Sequence, residues 1–71
     1  MKYQYFNSDI LLVINPKGQI RKLYTPFRAQ TLANNSWVYV NEILTNGKDE
    51  LIFIINSQPM LHHHFRIVID F

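Results

Sequence analysis

Three adjacent histidines, His62, His63 and His64, are the side chains of this sequence whose type and spacing point most directly to chemistry. A neutral imidazole binds zinc and other transition metals, but structural and catalytic zinc sites use three or four protein ligands. In an extended strand neighbouring side chains point to opposite faces, so His62 and His64 would share one face without His63. We therefore expect solvated or half-buried strand histidines, with no metal site and no cofactor.

Other catalytic patterns are missing from the sequence. The chain has no cysteine, which excludes disulfides, thiolate metal sites and thiol catalysis. Two glycines cannot form a Gly-rich phosphate loop, and neither a G-x-S-x-G elbow nor an H-E-x-x-H motif occurs. A 71-residue chain also has little volume with which to enclose a pocket. We expect a protein that is not an enzyme.

A second chemistry is suggested by cations interleaved with aromatic residues in the hairpin region 17–28. Lysine and arginine bind phosphates, and exposed aromatic rings stack on bases. The candidate nucleic-acid residues are Lys17, Arg21, Lys22, Arg28, Tyr24 and Phe27. The simpler alternative is a solvated basic hairpin, because folding can place it beside the more acidic second half of the chain.

A third possibility is protein interaction through an apolar sheet face. Aromatic residues make up 14% of the chain, and 48% of its residues are hydrophobic, more than one small core readily buries. The candidate interaction residues are Trp37, Tyr39, Ile52 and Ile54. We expect contacts with a protein partner or self-association as a homodimer, although barrel closure would also cover these side chains.

The elements that would position these residues are strands, because short β-branched and aromatic runs alternate with turn residues. Ile10–Ile14 and Ile20–Tyr24 flank Asn15-Pro16-Lys17-Gly18, which has the residue pattern of a type I turn. A four-residue loop would send Arg21 and Lys22 to opposite faces and bury one of them. We therefore predict a β-bulge at Arg21-Lys22 that leaves both cations in water.

A second hairpin is predicted from the runs 37–44 and 51–55 around Asn46-Gly47. Both turn residues tolerate positive φ, as a two-residue hairpin turn requires. This register pairs Val40 with Phe53 and Val38 with Ile55, leaving Tyr39, Ile52 and Ile54 on the other face.

Two further segments are assigned from alternation. Residues 25–33 fit either a short capped helix or a strand, and the strand is slightly favoured because Phe27, Ala29 and Thr31 alternate. Residues 62–71 show the cleanest apolar alternation, so we predict a long last strand there.

Together these features predict a single all-β domain over residues 1–71. The simplest architecture is an antiparallel, partly open barrel of five or six strands, resembling SH3-like barrels in strand count and size, with a meander sheet as the alternative. No apolar run is long enough to span a membrane and no secretion signal is present, so we expect a soluble cytoplasmic protein. The expected function is a non-enzymatic interaction module, or alternatively a nucleic-acid-binding barrel that uses the basic hairpin.

Overall fold

The computed structural model describes all 71 residues and contains nine short strands and one 3-10 turn. The strands are β1 (Lys2–Asn7), β2 (Ile10–Ile14), β3 (Ile20–Tyr24), β4 (Phe27–Thr31), β5 (Trp37–Val40), β6 (Glu42–Thr45), β7 (Leu51–Ile55), β8 (Gln58–Leu61) and β9 (Phe65–Arg66). The 3-10 turn, His62–His64, lies between β8 and β9.

The strands form three antiparallel sheets of three strands each. The first sheet has the order β1-β2-β3, the second β5-β4-β9 and the third β6-β7-β8. Each sheet is open, since its strand order has two ends. The all-β prediction is therefore confirmed, but the strands are shorter and more numerous than expected and do not close into a barrel.

The first hairpin forms where it was predicted, but its loop has five residues, from Asn15 to Gln19. Ile14 pairs with Ile20, and the ladder continues without interruption to the end of β3. The predicted β-bulge at Arg21-Lys22 is therefore wrong. The two cations still point to opposite faces, with Arg21 opposite the buried Val13, and both are exposed because β3 is an edge strand.

The apolar run 37–44 divides into two strands at Asn41. Strand β5 pairs with β4, and β6 pairs with β7, where Ile43 lies opposite Phe53. The predicted pairing of Val40 with Phe53 and of Val38 with Ile55 is therefore wrong. A continuous strand that buried both valines would also have buried Glu42, and the break at Asn41 lets the buried position move to Ile43.

The turn chemistry of the third sheet also differs from the prediction. Asn46-Gly47 begins a five-residue loop in which Asp49, with a φ of 60°, is the residue in the left-handed region. The tight two-residue turn joins β7 to β8 at Asn56-Ser57, whose φ values of 51° and 64° are both positive. That combination matches the type I′ hairpin turn.

The strand preferred for part of residues 25–33 is confirmed as β4, which is the central strand of the second sheet. The long strand predicted over 62–71 is wrong, because only β9 pairs with a neighbour and the histidines form a 3-10 turn. Alternation in this segment reflects burial of Phe65 and Ile67, which does not require a hydrogen-bonded partner strand.

The core consists of apolar side chains from all three sheets and the C-terminal tail. Its buried members are Leu11, Val13, Phe27, Ala29, Val40, Ile43, Leu51, Phe53, Ile55, Phe65 and Ile67. Phe53 is 1% exposed, and its ring centroid lies 5.8 Å from that of Phe27 and 6.1 Å from that of Phe65. Because each sheet turns one face inward, its opposite face is left to form the surface.

Candidate interaction surfaces

The outward face of the first sheet, here called the N-terminal face, carries a cluster of apolar side chains. Its central members are Ile10, Leu12 and Ile14 of β2, which are half-buried. They alternate with Leu11 and Val13, which point inward and are fully buried. Strand β2 is therefore apolar on both of its faces.

The neighbouring strands extend this apolar surface toward its edges. Tyr24 pairs with Ile10, and Ile20 pairs with Ile14. Ile20 is 60% exposed, Tyr24 is 59% exposed and Phe6 of β1 is 54% exposed. Such large apolar residues, contiguous on one sheet face, are typical of contact surfaces.

Two lysines lie on the N-terminal face, one on each of its edge strands. Lys22 lies opposite Leu12, and its Nζ is 6.0 Å from the centroid of the Phe6 ring, a distance within the range of cation–π contacts. Lys2 lies opposite Ile14 on the other side of β2. The face therefore combines an apolar centre with positive charge.

The outward face of the third sheet, here called the third-sheet face, is also mainly apolar. Leu44, Ile52 and Leu61 form one cross-strand row. The adjacent row consists of Glu42, Ile54 and Pro59. Proline is tolerated in β8 because this strand is at the edge of the sheet.

The outward face of the second sheet has a different chemistry and is here called the arginine–tryptophan face. Its members are Arg28, Gln30, Trp37, Tyr39 and Arg66. The guanidinium carbon of Arg28 lies 4.5 Å from the centroid of the Trp37 ring. Tyr39 is directly opposite Arg28 in the strand pairing. Arg28 therefore has an aromatic residue opposite it, Tyr39, and a second one in contact with it, Trp37.

Arg66 is fixed on the same face by neutral side chains. Its Nη2 donates to Gln30 Oε1 at 2.8 Å and to Asn35 Oδ1 at 3.4 Å. Gln30 is held in turn, because its Nε2 donates to the Asn35 carbonyl oxygen at 3.1 Å. Both acceptors of the guanidinium group are uncharged, so the positive charge of Arg66 is not neutralised by them.

The four residues predicted for protein interaction do not form one surface. Trp37 and Tyr39 belong to the arginine–tryptophan face, whereas Ile52 and Ile54 belong to the third-sheet face. The prediction combined them because the run 37–44 was taken for a single strand opposite 51–55.

The residues predicted for nucleic-acid binding are also separated. Lys17 is in the first hairpin loop, Arg21 and Lys22 point to opposite faces of β3, and Arg28 is in the second sheet. Tyr24 belongs to the N-terminal face. Phe27 is only 5% exposed and packs edge-on against Phe53 in the core, so its ring is not available to a base.

The three histidine rings lie next to one another at the end of the third sheet, with their planes inclined. His62 is half-buried, and its Nδ1 donates to the Leu51 carbonyl oxygen at 3.2 Å. His63 and His64 are exposed, with ring centroids 5.1 Å apart. No three histidine or carboxylate side chains are grouped so that they could hold a metal ion.

Sequence reasoning missed the N-terminal face and the role of Arg66. The uninterrupted apolar run of β2 was a signal for the N-terminal face, because a strand with one face in water alternates apolar and polar residues. No signal indicated Arg66, since its pairing with Gln30 joins residues far apart in the chain.

Comparisons with known proteins give no further guide to these surfaces. We find no match to this chain among protein-family models, curated proteins or solved structures. The chain also lacks any helix with the length and apolar character needed to cross a membrane.

Proposed function

We propose that this protein is a non-enzymatic docking module that binds an acidic, amphipathic segment of a partner protein on its N-terminal face. The observation that carries the proposal is that β2 is apolar on both faces. Leu11 and Val13 fill the core, while Ile10, Leu12 and Ile14 present a second apolar surface outward. Covering such a surface is favourable by about 25 cal/mol for each Å² of apolar area removed from water.

The dimensions of the face favour a single secondary-structure element as the bound segment. Three strands spaced about 4.8 Å apart, with five residues rising about 3.4 Å each, span roughly 14 by 17 Å. An α-helix with its side chains is about 10 Å wide, so one amphipathic helix or one hairpin would cover the face.

The charge of the face favours an acidic partner over a second copy of the chain. The side chain of Lys22, on β3, extends across the apolar surface toward Phe6. Lys2 lies on the other edge strand, β1. In a twofold symmetric dimer the same patch meets itself, which would bring these lysines toward one another. Carboxylates of an acidic partner protein would instead form ion pairs with these lysines and so favour that partner over a second copy of the chain.

Self-association through the third-sheet face is a second candidate function. The rows Leu44-Ile52-Leu61 and Glu42-Ile54-Pro59 contain no cation and a single carboxylate. This face can meet a copy of itself with little repulsion between like charges. The candidate retains Ile52 and Ile54 as interaction residues and is consistent with a homodimer.

We also propose that the architecture belongs with small open barrels of the SH3-like kind. Three short antiparallel sheets around one apolar core support that assignment. The assignment concerns architecture and does not itself specify a partner.

Position-specific photo-crosslinking tests the docking function. A benzophenone amino acid is placed at position 24 or, as the matched control, at position 39, because Tyr24 and Tyr39 are both 59% exposed. We expect a protein adduct from nuclease-treated cell extract at position 24 only, and we expect mass spectrometry of the adduct to identify a segment with alternating apolar and acidic residues.

Two charge-introducing variants locate the binding face. Leu12→Glu should remove the adduct, whereas Leu44→Glu on the third-sheet face should leave it, with circular dichroism confirming that both variants fold. Equal protein adducts at positions 24 and 39 would contradict docking on the N-terminal face. An adduct of twice the mass of the chain would indicate self-association instead.

A further inference from the structure

We propose that the arginine–tryptophan face is a second, independent binding site, and that its ligand is single-stranded nucleic acid. The face differs from both apolar faces because its outward side chains are cationic, aromatic or amide-bearing. It is formed by Arg28, Gln30, Trp37, Tyr39 and Arg66. Such a set matches a ligand with negative charges along its backbone and planar, hydrogen-bonding bases.

The first step of the argument is that Arg28 is held in place before any ligand binds. Its guanidinium group lies 4.5 Å from the centroid of the Trp37 ring and projects from the position opposite Tyr39. Stacking on an aromatic ring leaves the N–H groups at the edge of the guanidinium plane available to an acceptor. A phosphate could therefore bind without the entropy cost of ordering a free side chain.

Arg66 is a second ordered guanidinium group on the same face. Only its Nη2 is engaged within the protein, with the side-chain oxygens of Gln30 and Asn35. A guanidinium group has five N–H donors, so the remaining donors are free for a phosphate. Because Gln30 lies opposite both Trp37 and Arg66, it joins the two halves of the face into one row.

Two aromatic rings supply the surface for bases. Tyr39 is 59% exposed and Trp37 is 47% exposed, although Trp37 is already in contact with Arg28. Stacking of a base on an aromatic side chain strengthens binding by about fivefold or more and tolerates any base. The geometry thus favours a site that holds a short unpaired strand with little sequence preference.

The exposed aromatic rings of the face favour nucleic acid over an acidic peptide. Both ligands would pair with Arg28 and Arg66, but only a nucleic acid also supplies planar bases for the exposed rings. No carboxylate belongs to the face, so nothing on it repels a phosphate. An acidic peptide is the competing outcome of the experiment.

Fluorescence gives a direct assay, because Trp37 is the single tryptophan of the chain and is part of the site. Titration with a ten-nucleotide oligothymidine at 50 mM salt should quench its emission in a saturable way. Contacts with two phosphates predict a log-log salt slope of about −1.4, so affinity should fall about sevenfold between 50 and 200 mM salt.

Matched variants separate stacking from charge. Tyr39→Ala should weaken binding by about fivefold or more, whereas Tyr24→Ala, which removes an equally exposed tyrosine from the N-terminal face, should not. Arg66→Ala should weaken binding and reduce the salt slope to about −0.7, whereas Arg21→Ala, another exposed arginine, should change neither.

Polyglutamate is the control ligand, because it carries negative charges along its chain but has no bases. Binding of polyglutamate as tight as that of oligothymidine would overturn the proposal, and so would an absence of quenching with millimolar oligothymidine at 50 mM salt. Equal loss of binding in Tyr24→Ala and Tyr39→Ala would overturn it as well, because the strand would then not be located on this face. None of these results bears on docking at the N-terminal face, which is tested by crosslinking at position 24.

Discussion

Asn15 and Asn46 close the two five-residue hairpin loops with the same set of hydrogen bonds. In each loop the asparagine Oδ1 accepts from the backbone N–H groups two and four residues later, at distances between 2.8 and 3.1 Å. In each loop the asparagine Nδ2 also donates to a side-chain oxygen of the fifth residue, Gln19 Oε1 at 2.7 Å or Glu50 Oε1 at 3.0 Å. The two loops, NPKGQ and NGKDE, therefore adopt one geometry with different sequences.

The fourth residue of each loop has a positive φ, and its identity differs between the loops. Gly18 has a φ of 82° and Asp49 a φ of 60°. Gly47, the glycine of the second loop, occupies the position of Pro16 and is not among the residues with positive φ. The common geometry thus gives the two glycines of the chain different roles.

We predict that Gly18→Ala lowers the free energy of unfolding by about 1 kcal/mol, because a side chain in the left-handed region meets the backbone. Gly47→Ala is the matched control, since a Cβ at either glycine has no neighbour within 4 Å. In Gly47→Ala the free energy of unfolding should be unchanged or rise by up to about 1 kcal/mol. Urea denaturation compares the two, and an equal loss in both variants would contradict the assignment of roles.

We predict that Asp49→Gly stabilises the protein by about 0.5 kcal/mol. Relief of a positive φ at a non-glycine residue is worth about 1–2 kcal/mol, and the added freedom of glycine in the unfolded chain offsets about 0.4–1 kcal/mol of it. The midpoint of urea unfolding should therefore rise with an unchanged slope. A lower midpoint would mean that the aspartate side chain contributes more to the loop than its backbone strain costs.

A salt-dependent difference should separate Asn46→Asp from Asn15→Asp. Both variants keep the oxygen that accepts from the backbone, but Asn46→Asp places a carboxylate against Glu50, whereas Asn15→Asp faces the neutral Gln19. At pH 7 we expect Asn46→Asp to be less stable by about 1 kcal/mol, from repulsion of like charges at a partly exposed site.

The difference should diminish at 1 M salt, because the Debye length is then about 3 Å and repulsion at a partly exposed site is screened. Thermal unfolding of both variants at low salt and in 1 M sodium chloride measures this change. A difference of the same size at both salt concentrations would mean that the repulsion is not its source.

The C-terminal tail should contribute to stability although it forms no strand beyond β9. Ile67 is 4% exposed, while its neighbour Val68 is 60% exposed. Ile67→Ala should lower the free energy of unfolding by about 2 kcal/mol or more, through lost burial and the cavity left behind. Val68→Ala should change it by less than about 0.5 kcal/mol. Similar effects of the two substitutions would show that the tail is not packed on the core.

The strands of the first hairpin and β7 could be predicted from the sequence because they are short apolar runs between clear turn residues. The bulge prediction failed because β3 is an edge strand, so that even Arg21, on the inward side, is exposed to water. The register also differs from the predicted one, because Asn15 holds Gln19 in the loop and one added residue changes the face of every following side chain.

The break at Asn41, which determines how the surfaces are composed, was not predicted, although the sequence contains a signal for it. A strand that continued through Glu42 would have buried that carboxylate, so alternation with a period of two fails between Val40 and Ile43. Without the break, residues of two sheets were assigned to one face. The arginine–tryptophan face could not be predicted, because it depends on β9 joining β4 from the far end of the chain.

All eleven buried side chains are apolar, and the interior contains no buried polar or charged residue. Apolar interiors accept many substitutions that conserve volume. The asparagine loops and the Asn56-Ser57 turn accept far fewer, because particular atoms and particular φ values are needed there. Over evolutionary divergence we therefore expect the interior of such a fold to change freely and its turns to persist, so that distant relatives would share scattered asparagines and little else.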